Sequence, residues 1–147
     1  MPIVKKFFKE SSIEDLLQCY ISPSKTSEKC KCPQCKQEQK PTIQITFQKL
    51  PTILILCLKR FDKTQNGTPK NATPVKFSED LNVCGNRYKL IGTIIHPGGL
   101  YSSHHKGFVF MESMHDWVPS GEIAKSAPLD SLIYSPTVHV LFFQKMQ

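Results

Sequence analysis

No stretch of this 147-residue chain reaches the roughly 18 consecutive apolar residues that a membrane-spanning helix needs. Met1 to Glu10 lacks the apolar core of a secretory signal, so nothing in it directs export. Internal repeats, heptads and low-complexity tracts are also missing, which excludes solenoids, coiled coils and compositionally biased linkers. What remains is the expectation of one intracellular domain, residues 1–147, in the cytoplasm or nucleus, with no membrane partner. That length is enough to bury a real core.

Acid is scarce in the first half. Through Lys76 there are fourteen Lys or Arg against six Asp or Glu, and beyond it five against six. A basic excess can signal nucleic-acid binding. Here, however, Lys25, Lys29, Lys31, Lys36 and Lys40 have few aromatic residues between them on which bases could stack. The reading is a solvated basic face, with nucleic acid as the outside alternative. Six cysteines raise the question of a disulfide scaffold. Without an export signal, and with Cys30, Cys32 and Cys35 packed together, metal or free thiol is the better reading. For the same reason the Asn-x-Thr sequons at Asn66 and Asn71 carry no meaning.

Local patterns give a coarse fold. Ser12 followed three residues later by Asp15 makes a relative of the capping box, and Ile13, Leu16, Leu17 and Tyr20 mark one helical face, predicting a helix from Ile13 to about Tyr20. Ile43, Ile45 and Phe47 alternate with polar residues and predict a half-buried strand, turning near Lys49 to pair with the next. That next segment, Leu50 to Phe61, reads LPTILILCLKRF. Its run from Ile53 to Leu58 predicts a strand covered on both faces, with Pro51 at its start and the basic pair Lys59-Arg60 surfacing at its end. Asp62 to Pro74 reads as a surface loop, with Asn66-Gly67 a turn signal. Further strands are expected at Arg87 to His96, Gly107 to Met111 and Thr137 to Phe143.

Leu-Pro, an apolar run and then Leu-Lys-Arg-Phe closely resemble the signature of the ubiquitin-specific proteases, a family of deubiquitinating cysteine peptidases. Other blocks follow in the order this family requires: Cys32-Pro33-Gln34-Cys35 upstream, Ile94 to Gly99 and Ser102 to Val109 downstream, and Val138 to Phe143 at the close. The resemblance covers about residues 13–143. It implies an α+β, papain-like cysteine protease fold, of which this chain would hold mainly the antiparallel β palm and part of the fingers, the N-terminal helical half being absent.

The chemistry so implied is thiol hydrolysis, in which a cysteine attacks, a histidine takes its proton and an Asn or Asp orients the histidine. By resemblance His104 is the catalytic histidine. Ser103 stands where the family has Gly, and His105 where it has Tyr. Trp117 is followed by Val118-Pro119-Ser120-Gly121-Glu122, so no orienting acid or amide falls in register; Ser120 is nearest, and Asp116 lies on the wrong side. The family's nucleophile would precede this chain, and Cys19, Cys57 and Cys84 lack its setting. Cys32 and Cys35 make half of a tetrahedral zinc site, and catalysis needs no cofactor. The expectation is a deubiquitinase-family chain that is catalytically incomplete. Its partners would be ubiquitin or ubiquitinated proteins, together with a protein covering the exposed palm. The alternative is a non-catalytic ubiquitin- or protein-binding module on the same scaffold.

Overall fold

The computed structural model describes residues 11–61, 64–65, 67–99, 104–120 and 136–147, and the backbone of Pro2–Ile3. The chain begins with strand β1 (Pro2–Ile3), β2 (Ser11–Ser12) and helix α1 (Ile13–Ile21). Four short strands follow: β3 (Ser24–Lys25), β4 (Cys30–Lys31), β5 (Glu38–Gln39) and β6 (Thr42–Ile43). Then come β7 (Ile53–Leu58), β8 (Val75–Lys76), β9 (Asp80–Val83), β10 (Asn86–Ile95), β11 (Lys106–Met111), β12 (Asp116–Pro119) and β13 (Val138–Lys145).

Helix α1 starts where its cap signal lies. The Ser12 hydroxyl accepts from the Asp15 amide at 3.1 Å, and the Asp15 carboxylate accepts from the Ser12 amide at 3.1 Å, a reciprocal box that satisfies two otherwise orphaned donors. Ile13, Leu16 and Leu17 then face the core. At the far end the Ser22 amide and hydroxyl both bond the Gln18 carbonyl.

One seven-stranded sheet carries the rest, in the order β1-β7-β13-β10-β11-β12, with β9 also paired to β10. All its pairings are antiparallel except β1 with β7. β10 is long enough to pair β9 through Asn86–Lys89 and β11 through Gly92–Ile95 on the same edge, while β13 runs along the other. Tyr88, fully buried, donates its hydroxyl to the Pro51 carbonyl at 2.7 Å and so ties the entry of β7 to β10. The β9–β10 turn uses Cys84 (φ 48°) and Gly85 (φ 78°), the left-handed backbone a tight hairpin needs.

Three expectations need correction. β7 is covered on one face only: Leu54, Leu56 and Leu58 are buried, whereas Ile53 and Ile55 are 41% and 45% exposed. A continuous apolar run states that neither face is charged, not that both are covered. Thr42 to Leu50 is not a strand paired with β7; only Thr42–Ile43 is extended, and it pairs with Ser24–Lys25. Arg60 does not surface, being 1% exposed. Its guanidinium turns inward, where its Nε donates to the Val138 carbonyl and its Nη1 to the carbonyls of Asn71 and Thr73, both at 2.9 Å. Burial pulls its pKa down to about 10.

Candidate functional site

His104 lies two residues before β11 and is exposed. The β11–β12 hairpin around it is fixed by the pairs Phe108↔Pro119, Val109↔Val118, Phe110↔Trp117 and Met111↔Asp116. Its ladder continues as the Ser120 amide donates to the Gly107 carbonyl at 2.8 Å. The end of β12 therefore arrives beside the segment that carries His104. Ser120 lies against Gly107, where an added Cβ would meet its side chain at 3.4 Å, and its described contacts are to Gly107 and not to His104.

Asp116 is held at the opposite end of this hairpin, opposite Met111, with its carboxylate accepting from the Trp117 amide at 2.7 Å. At about 3.3 Å per residue, the seven residues from Met111 back to His104 put it roughly 20 Å away, so Asp116 cannot orient that imidazole. Ser103, Gly121 and Glu122 lie outside the described residues.

The cysteines are distributed as six free thiols. Cys19 is exposed on α1, Cys84 is exposed in the β9–β10 turn, and Cys57 is half-buried on β7 opposite Val140. None of the three is brought to His104 by a described contact. Cys32 and Cys35 share the tight turn between β4 and β5. There the Lys36 amide donates to the Cys32 carbonyl at 2.9 Å, the Cys32 amide donates to the Gln37 carbonyl at 2.9 Å, and Lys36 takes φ 59°. Amide donation from Cys35, then from Gln34, holds the Cys32 thiol below its ordinary range. Two thiols presented by one turn suit one half of a tetrahedral zinc set. Among the described residues no third His, Cys, Asp or Glu joins them, so the full set is not found there.

Sequence reasoning missed a second constellation beside His104. His96 directly follows β10 and is buried, His105 precedes β11, and His139 is the extra residue at a bulge in β13, between the pairs Ile94↔Val140 and Ile95↔Val138. Their rings meet: His96 to His105 at 4.4 Å between centroids, His96 to His139 at 5.6 Å and His105 to His139 at 6.2 Å. Phe61, just past β7, closes the group at 5.3 Å from His96 and 6.2 Å from His139. Lys70 anchors it from below, donating to the carbonyls of His96 and, at 3.0 Å, Gly98. The available signal was positional, since each histidine sits at a strand end.

A mainly antiparallel sheet, a short capped helix on one face, finger-like hairpins and a histidine at the head of a central strand define the palm and part of the fingers of a papain-like cysteine protease fold. The comparisons make the assignment specific, and the chain belongs to the ubiquitin carboxyl-terminal hydrolase family, whose profile matches residues 5–121. It is 28% identical over 89% of its length to ubiquitin carboxyl-terminal hydrolase 4 of Candida glabrata, and 31% identical over 78% of its length to ubiquitin carboxyl-terminal hydrolase 15 of Rattus norvegicus. It spans only 18% and 13% of those relatives. In fold it is similar to a yeast SAGA DUB module (TM-score 0.83, 22% identity, 93% of this chain and 33% of that one). It is likewise similar to a SAGA DUB module bound to ubiquitin aldehyde (TM-score 0.77, 22% identity, 93% and 34%).

Proposed function

We propose that this chain supplies the histidine-bearing palm of a thiol peptidase that removes ubiquitin from conjugates, with His104 as the base, and that these 147 residues are catalytically incomplete by themselves. The position of His104 carries the reading. It stands at the head of β11, in a segment that the Gly107–Ser120 bond fixes beside the end of β12, which is where a base held on a rigid element belongs. Incompleteness rests on the cysteine inventory. An activated thiol needs a base within reach or a helix N-terminus. Cys19 is near the last turn of α1, Cys84 is in a hairpin turn, and Cys57 is in mid-strand. A histidine without a nucleophile cannot run covalent catalysis.

Ubiquitin is the proposed partner, because a fold neighbour of this chain is bound to ubiquitin aldehyde. Cys32 and Cys35 are assigned one half of a structural zinc site, which is incomplete among the described residues, and hydrolysis itself needs no cofactor. A second reading, a non-catalytic ubiquitin- or protein-binding module, is favoured by the exposed Ile53 and Ile55 on the outer face of β7, which offer apolar surface to a covering protein.

The test is incubation with ubiquitin carrying a cysteine-trapping group at its C-terminus, read by intact mass beside a complete family member as control. No adduct, with the control labelled, is the expected result. An adduct would overturn the incomplete reading, and peptide mapping would name the nucleophile. Retained binding of plain ubiquitin without an adduct separates the binding module from an inert fragment.

A further inference from the structure

Five basic side chains meet where the ends of four strands converge, and the family reading assigns them no role. His96 directly follows β10, His105 leads into β11, and His139 is aimed into the group by the bulge of β13. Arg60 and Lys70 bind the same junction from the β7 side. Arg60 donates to the Val138 carbonyl, next to His139, and Lys70 donates to the carbonyl of His96 itself. Two fixed positive charges are thus built into the scaffold that presents three imidazoles.

The other charged side chains on these elements have the same sign: Lys59 beside Arg60, Arg87 and Lys89 on β10, Lys106 on β11 and Lys145 on β13. Among the described residues, the carboxylates of the β11–β12 hairpin, Glu112 and Asp116, belong to its far turn. The described charges acting on His139, those of His96, His105, Arg60 and Lys70, are all of one sign.

Neutral imidazoles pack edge to face like other aromatic rings, as His96 does against Phe61, His105 and His139. Imidazolium rings at the same spacing repel one another and the two fixed cations. We propose that this three-histidine node is an acid-sensitive latch, which clamps the ends of β10 and β13 to the segment leading into β11 while its rings are neutral and opens in mild acid.

The sign follows from the surroundings. Burial, then the charges of His105 and Lys70, hold the His96 imidazole below the ordinary histidine range. Burial again comes first for His139, followed by His96, His105, Arg60 and Lys70, and the direction is the same. A base whose pKa is depressed in the folded state takes up more protons when unfolded. The latch is therefore fully formed above the ordinary histidine pKa of about 6.5, and its stability is lost as pH falls below that value toward the lower folded pKa.

Side-chain NMR of the intact chain, followed from about pH 8 to pH 5, tests this. His96 and His139 are expected to titrate below a histidine in an unfolded peptide of the same composition. Amide exchange at Ile95–His96 and Val138–His139, corrected for its intrinsic pH dependence, should rise by at least about tenfold over the same interval. The melting temperature should fall by several degrees, and the double substitution His105→Gln, His139→Gln should flatten that fall. Titration of both histidines at or above the peptide value, or a melting temperature that stays level, overturns the latch. If the double variant does not fold, the wild-type titration and exchange decide on their own.

Discussion

Arg60 and Val138, 78 residues apart in sequence, are joined by a hydrogen bond from the buried guanidinium to the β13 carbonyl. The same guanidinium holds Asn71 and Thr73, so one side chain ties the exit of β7, the segment before β8 and the start of β13. Its described partners are backbone carbonyls, which makes it a structural peg.

Removing that peg should be costly. Arg60→Ala leaves three inward-facing carbonyls without this donor, and at about 1.5–3 kcal/mol for a hydrogen bond from a charged group the summed loss is roughly 4.5 kcal/mol or more. Arg60→Lys should recover only part of this, because an ammonium cannot reproduce the planar fork. Urea unfolding gives the comparison, and a loss under about 0.5 kcal/mol for the alanine variant would refute the peg.

The cap of α1 offers an independent check. Ser12→Ala should cost about 1 kcal/mol, and Ser12→Gly only a few tenths. The Asp15 carboxyl is held below its ordinary value by the Ser12 amide and then by the Ser12 hydroxyl. A depressed acid contributes its stability above the unfolded carboxylate pKa and loses it as pH falls through the folded one. Carboxyl NMR should show the Asp15 pKa moving upward in the alanine variant. An unmoved value would mean that the box is not formed in solution.

Ile53 and Ile55 stand exposed on the outer face of β7, beside Phe142 of β13. Such a face favours self-association unless something covers it. The purified chain is expected to elute larger than a monomer, and Ile53→Lys with Ile55→Lys should restore monomer with little loss of melting temperature, since both residues are already over a third exposed. A wild-type chain that is monodisperse and monomeric, with a sharp thermal transition, contradicts this.

Zinc supplies the fourth test. With Cys32 and Cys35 as its only donors among the described residues, the turn between β4 and β5 should bind zinc weakly, and a chelator should leave the melting temperature of this chain unchanged. Metal analysis after gel filtration should find well under one zinc per chain, and Cys32→Ser should abolish even that. A tightly held stoichiometric zinc would contradict the half-site assignment.

What was legible in the sequence was local. The Ser12–Asp15 box gave α1 to within a residue, because a cap is a contact between near neighbours. β10, β11 and β13 were found within a residue or two from their apolar patterns and bounding turns. The order of the Leu-Lys-Arg-Phe, His-Pro-Gly and closing-strand blocks also carried the family. Ile43, Ile45 and Phe47 misled because alternation predicts a strand only if a partner is in reach, and the chain there pairs with Ser24–Lys25 instead.

The sequence by itself determined the family, the cap and the succession of strands, since each is written in residues close together along the chain. Only the tertiary structure decided which face of β7 is covered, that Arg60 turns inward, and that His96, His105 and His139 share one node. The physical reason is that burial and long-range pairing are set by what lies across the sheet. A bulge at His139 or a carbonyl at Val138 has no trace in the residues around Arg60 or His96.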